Sequence, residues 1–218
     1  MIKARLHKER LFKPSVAALL IANIAPVYGV LFLGWTVFPL MLLFWLENVI
    51  IGVFNVFRLL ACSPGNIKLW FAKIFFIPFF CVHYGMFTAI HGIFVIVLFG
   101  HEPFKNSPLS DLNQIIYIIK SEDLIYAVLI LFLSHTFSFL WNFIGQKEYA
   151  KTTPEELMLR PYGRIAVLHI TLIFGGFFAM AFRSATPALI LLIAIKVIFD
   201  IKSHLREHFP ETPAKGRL

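Results

Sequence analysis

The sequence predicts an all-α fold: a polytopic transmembrane helical bundle of about six spans, forming one domain over residues 1–218, with both termini in the cytoplasm. Three observations predict it. Apolar runs close to the ~20 residues needed to cross a bilayer recur along the chain. Only 15% of the 218 residues are charged, against about 25% in a soluble domain. The basic residues are segregated, with 16 of the 20 Lys and Arg falling on one side of the spans, as the positive-inside rule requires of a cytoplasmic face. An inner-membrane, multi-pass location follows, with the lipid bilayer as the surrounding partner.

The spans fall at about 15–34, 36–59, 70–99, 123–144, 164–182 and 186–204. The basic N-terminus before Ser15 and the apolar run after it could pass for a signal peptide. Asn23, Pro26 and the lack of a small-x-small cleavage site argue for an uncleaved first span. The first two spans meet around Gly34–Thr36 as a helical hairpin. The third is overlong, and a kink or an interfacial start is expected near Pro78. Between the third and fourth, Ser110 is placed to cap an amphipathic turn through Leu112, Ile115, Ile116 and Ile119 that would rest on the membrane surface. Thr153-Pro154-Glu155-Glu156 reads as a capping box with Pro at the first helical position, opening a helix that ends before Pro161. The fifth and sixth spans meet at Arg183–Thr186, with Pro187 suited to a first turn.

The net charge of +8 belongs to this membrane asymmetry and gives no ground for nucleic-acid binding. Cys62 and Cys81 form no disulfide framework and match no metal spacing, so both read as structural thiols.

Ionisable residues inside the apolar runs carry the functional signal. A charge at mid-bilayer costs roughly 2.5–3.5 kcal/mol on insertion scales, so such residues are expected to face one another. Counted from the cytoplasmic ends, Glu47, His83, His135 and Lys196 fall at about one depth, with His169 and Asp200 lower and His204 near the boundary. Lys196, Asp200 and His204 repeat at i, i+4, i+8 and form one stripe, and His135 shares a face with Ser138 and Asn142. Glu47 and Arg58, eleven apart, share another. Gly52, Gly92, Gly175 and Gly176 offer surfaces where helices can approach closely. His91, two turns beyond His83, is set apart as a histidine bonded to backbone or water.

Asp200-x-x-x-His204 places a carboxylate and an imidazole one turn apart, a spacing that can hold a divalent metal. Zinc suits these ligands first, and iron or manganese also. The ligand candidates are His83, His135, His169, Asp200 and His204. Glu47 is a ligand or general base, and Lys196 would orient a carboxylate or stabilise developing negative charge. A metal-bound water as nucleophile makes a metal-dependent intramembrane hydrolase, acting on a lipid or a membrane-embedded bond, the leading reading. His-Glu-x-x-His, His-x-x-Glu-His and Gly-x-Ser-x-Gly are all absent from the sequence. The same residues suit a proton-coupled or metal-ion transporter, haem ligation by facing histidines, or a structural role. In that last case Glu47 or Asp200 would pair with Lys196, Asn48, Asn55 and Asn142 would bond across helices, and Arg58, Arg164 and Lys202 would be interfacial charges with extended side chains.

The segments Trp45-Leu46-Glu47-Asn48 through Arg58, His83-Tyr84-Gly85-Met86-Phe87 through His91-Gly92, and Arg160-Pro161-Tyr162-Gly163-Arg164 through His169, taken with Lys196, Asp200 and His204, resemble a bacterial and archaeal family of multi-pass membrane proteins known only as a domain of unknown function. The resemblance covers nearly the whole chain. It implies an integral membrane protein and no activity, substrate or cofactor.

Overall fold

A computed structural model describes residues 24–63, 65–100, 112–181, 193–194 and 197–198. The described residues are helical, without strands. In chain order they form α1 (24–32), α2 (Val37–Ala61), α3 (Ile67–Phe99), α4 (Leu112–Ser121), α5 (Ile125–Ser138), α6 (Pro154–Leu159) and α7 (Tyr162–Ala181). Three stretches are long and apolar enough to cross a membrane: Val37–Ala61, Ile67–Phe99 and Ile125–Gly145. The expected first span is represented by α1 alone. Of the sixth, only residues 193–194 and 197–198 are described, and they are helical.

The α1–α2 joint forms where the sequence placed it. Gly34 adopts φ +67°, a left-handed conformation that glycine enters without steric cost. The Trp35 amide then folds back to donate to the Gly29 carbonyl at 3.0 Å. The α3 helix runs through Pro78 as one continuous element of 33 residues, so the overlong third span is a single helix. In α4, Ile118 is buried and Ile119 packs beside it, while Ile116 is exposed. Ile116 of the expected stripe keeps an outward apolar side chain, while Ile119 turns to the core. The capping box at α6 is formed: Glu156 N donates to Thr153 Oγ1 and Thr153 N to Glu156 Oε2, both at 3.3 Å.

After Ser138 the α5 helix widens into π turns over Phe139–Gly145, a feature that no residue pattern announced. Its inner side keeps the polar stripe, with His135, Ser138 and Asn142 all buried.

The second helix is the shaft of the bundle. It packs against α3, α5, α6 and α7, and α3 in turn touches α6 and α7. In its most apolar window 83% of residues are buried, against 33% in α3 and in the Ile125–Gly145 stretch, so those two present most of their apolar side chains outward. Two apolar clusters fill the interior. One gathers Phe38 to Leu46 with Val95, Ile96, Leu131 and Leu168. The other gathers Leu59, Cys62, Phe80, Tyr84, Phe143, Leu157 and Ile165. A polar layer lies between them.

Candidate functional site, a buried polar layer between helices

Glu47 is the centre of that layer. It is 2% exposed, and its Oε1 lies 3.8 Å from His135 Nε2 and 3.8 Å from Arg164 Nη1. Three helices, α2, α5 and α7, therefore meet at one carboxylate. Glu47 and His135 were expected to share a level, and they do. Arg164 was expected at the interface with its side chain extended outward. It instead points inward and is 7% exposed, because the carboxylate offers a compensation that an apolar interior otherwise lacks. Arg58 is likewise buried.

The register of α2 against α3 is set by two hydrogen bonds and two glycines. Trp45 Nε1 donates to the Thr88 carbonyl at 2.7 Å, and the Tyr84 hydroxyl donates to the Asn48 carbonyl at 2.9 Å. These bonds run antiparallel, with 45 opposite 88 and 48 opposite 84. A Cβ on Gly92 would stand 2.6 Å from the Trp45 ring, and one on Gly52 would stand 2.5 Å from the Tyr84 ring. Each glycine is the recess for the aromatic side chain that makes the bond, as the close-approach reading of both required.

Two further histidines link α3 to α7. His83 Nδ1 lies 2.5 Å from the Tyr162 hydroxyl. His91 Nε2 lies 3.2 Å from His169 Nδ1, while His91 Nδ1 faces the Phe87 carbonyl at 2.7 Å. His83 and His91 are eight residues apart on α3, and Tyr162 and His169 are seven apart on α7. Both spacings return to one helical face, so the two contacts form rungs of a ladder between parallel helices. Phe87 fills the gap on α3, its ring 5.1 Å from that of His83 and 6.5 Å from that of His91.

The histidines expected to share one cluster are thus dealt to different partners: His135 to Glu47, His83 to Tyr162, and His169 to His91. Among the described residues no three His, Cys, Asp or Glu side chains come together as a metal site. Lys196, Asp200 and His204 lie outside the described residues. His91, set apart in the sequence, joins His169. Asn55 does bond across helices, donating to the Leu157 carbonyl at 2.9 Å. Asn48 and Asn142 bond within their own helices, to the Phe44 carbonyl and to Ser138 Oγ. Tyr162 and Arg164 went unrecognised as site residues. The matched seven- and eight-residue spacings on α7 and α3 were the signal that could have found the former.

At the end of α2 remote from α1, Lys73 Nζ donates to the carbonyls of Leu60 (2.7 Å) and Cys62 (3.0 Å). It completes a helix C-terminus with positive charge, where the helix dipole favours it. Burial pushes the Cys62 thiol above its ordinary pKa, and the nearby Lys73 ammonium pulls it partly back.

Fold and site together define a class: a protein whose described residues are helical, three of their helices long and apolar enough to cross a membrane, with a charged centre buried against them. The chain belongs to the family of unknown function DUF6498, whose family model matches residues 5–217. No curated protein and no solved structure matches it.

Proposed function

We propose that this chain is a multi-pass inner-membrane protein with six spans and both termini cytoplasmic, and that its polar layer is the centre of a metal-dependent intramembrane hydrolase. The membrane reading draws support from the outward faces. Ile67, Phe71, Ile74 and Val82 of α3 are 66–72% exposed, a run of apolar surface that a water-soluble monomer rarely leaves bare. At 33 residues α3 is about 50 Å long, longer than the ~30 Å hydrocarbon core. Its first turns, carrying Trp70 and Lys73, then reach the interfacial zone, where such side chains anchor helices.

The observation that carries the catalytic reading is the burial of Glu47 with His135 and Arg164 from two other helices. Desolvating such charges costs several kcal/mol per ion, and an apolar layer would avoid that cost. Ionisable residues kept inside spans mark functional centres. Glu47 would serve as the general base of such a centre. The metal ligands, zinc first, would be drawn from His83, His135, His169, Asp200 and His204, of which His135 is the one beside Glu47, and Lys196 would supply a charge for a developing oxyanion. The substrate would be a lipid or a membrane-embedded bond.

A second reading, proton or metal-ion transport, is favoured by one feature: the rungs at His83 and His91 lie about 12 Å apart along α3, as steps on a path would.

The experiment is elemental analysis of chelator-free purified protein, with His135→Ala and Asp200→Ala alongside. Near-stoichiometric metal, lost in both variants, supports the enzyme. A folded, metal-free wild type that passes protons in proteoliposomes, and stops when Glu47 becomes Gln, sinks the enzyme reading and supports transport.

A further inference from the structure

We infer that the cavity between α1 and the start of α5 is a binding site for one phospholipid whose headgroup carries a primary ammonium. The inference rests on the membrane reading proposed above and is independent of the metal centre. The cavity measures about 460 Å3, within the roughly 300–1,000 Å3 of small-molecule sites. Leu33 and Ile130 contribute apolar wall, Tyr28, Trp35 and Tyr126 contribute rings, and Asp123 is the one charged residue of the lining. The cavity therefore brings the α1–α2 joint and the turn before α5 to one end of the bundle, the outer face in the proposed topology. Tyr28 and Tyr126 are exposed and Trp35 is buried, and amphipathic rings of this kind collect at a membrane–water boundary.

Asp123 sits in a Schellman-type turn at the end of α4. Leu124 N donates to the Ile119 carbonyl at 2.9 Å and Asp123 N to the Lys120 carbonyl at 3.3 Å. This leaves Asp123 at φ +53°, the left-handed position that glycine usually fills. A carboxylate is thus kept where glycine would cost less. The side chain is exposed and forms no ion pair among the described residues. An ionised carboxylate only accepts hydrogen bonds, so its complement is a primary ammonium, which has N–H groups to donate; a trimethylammonium group has none. Lys120, three residues earlier and also exposed, matches the phosphate that accompanies the ammonium in a zwitterionic headgroup. Trp35 Nε1 is buried with no acceptor among the described residues, so the wall of the cavity holds an unmet donor, and the ester oxygens of a lipid are acceptors. The remaining apolar wall suits the start of an acyl chain.

The test is native mass spectrometry of the full chain in detergent, titrated with phosphatidylethanolamine, phosphatidylcholine and phosphatidylglycerol of identical acyl chains. Wild type should bind one phosphatidylethanolamine at least about tenfold more tightly than either other lipid, and Asp123→Asn should erase that preference. Asparagine is among the residues that enter the left-handed region most readily, so the turn survives the change. Ile130→Trp, which fills the cavity from α5, should weaken binding of all three lipids; if that variant does not fold, Asp123→Asn alone decides. Equal binding of the three lipids by wild type, or a preference that survives Asp123→Asn, overturns the site and leaves the membrane reading standing. A preference for phosphatidylglycerol overturns it as well, because the group recognised is then an anion. A chain that stays soluble and monodisperse without detergent or lipid sinks the membrane reading and the site with it.

Discussion

Replacing Gly92 with Ala tests whether the α2–α3 seam is built as described. The new Cβ would stand 2.6 Å from Trp45 Cε2 and 2.8 Å from both Cζ2 and Nε1, about an ångström inside ordinary van der Waals contact. The ring cannot simply swing aside, because Nε1 is the atom that donates to the Thr88 carbonyl at 2.7 Å. Overpacking costs about 1–3 kcal/mol, and the lost hydrogen bond adds about 0.5–1.5 kcal/mol. Alanine's better helix propensity returns about 0.5–1 kcal/mol. The net is a loss of about 0.5–4 kcal/mol, or several degrees in unfolding midpoint for a chain of this size. Gly85, on the same helix, is the control: nothing lies within 4 Å of its added Cβ, so Gly85→Ala should be neutral or slightly stabilising. Thermal unfolding of both variants in one detergent reads the difference. If Gly92→Ala matches or exceeds the midpoint of Gly85→Ala, Trp45 does not sit on Gly92, and the register that places Glu47 is wrong.

Three further outcomes are expected. Arg164→Leu should destabilise by about 3–5 kcal/mol by taking a compensating cation away from Glu47, while Arg164→Leu combined with Glu47→Leu should recover much of that loss; additive losses in equilibrium unfolding would dissolve the pair. Thr153→Ala removes the cap of α6 and should cost about 1 kcal/mol, seen as faster amide exchange confined to Pro154–Leu159; unchanged exchange there would mean the box contributes nothing. The thiol of Cys62 is raised by burial, so its contribution to stability is complete below the ordinary thiol pKa of about 8.5 and is lost as pH climbs above it. Unfolding midpoints that fall above that pH in wild type and not in Cys62→Ala would show this, and identical profiles would exclude it.

The helices and their ends were largely legible because they depend on local information. Apolar run length gave Val37–Ala61 and Ile67–Phe99 within three residues at either end, and Thr153 with Glu156 gave the start of α6. The partner assignments were not legible in the same way. Depth along a span is a single coordinate, so Glu47, His83 and His135 looked equivalent. Which of them meet depends on helix rotation, and rotation is set by packing details such as the Trp45 ring over Gly92. The π turns over Phe139–Gly145 were invisible for a related reason: inserting one residue per turn leaves composition unchanged and alters only the phase of the residues beyond it. Arg164 was misjudged because snorkelling and burial have the same sequence signature. Only a carboxylate at the same level on another helix separates them, and Glu47 is that carboxylate.

The most buried helix carries the central charge, and this bears on how the site can work. A carboxylate on α3 or α5, which present most of their apolar side chains outward, could change partners by a small rotation of its helix. Glu47 is on α2, whose register is held from one side by Trp45 on Thr88 and Tyr84 on Asn48, and from another by Asn55 on Leu157. Any rearrangement that moves Glu47 along its helix axis must break these bonds together. The α3–α7 rungs are fewer, and one of their members, His169, is exposed. Variable geometry is therefore far cheaper at α7 than at α2. In the proposed site Glu47 is the fixed group, and the exposed side chain of His169, two turns from Tyr162 on α7, is freer to move than the buried groups of α2.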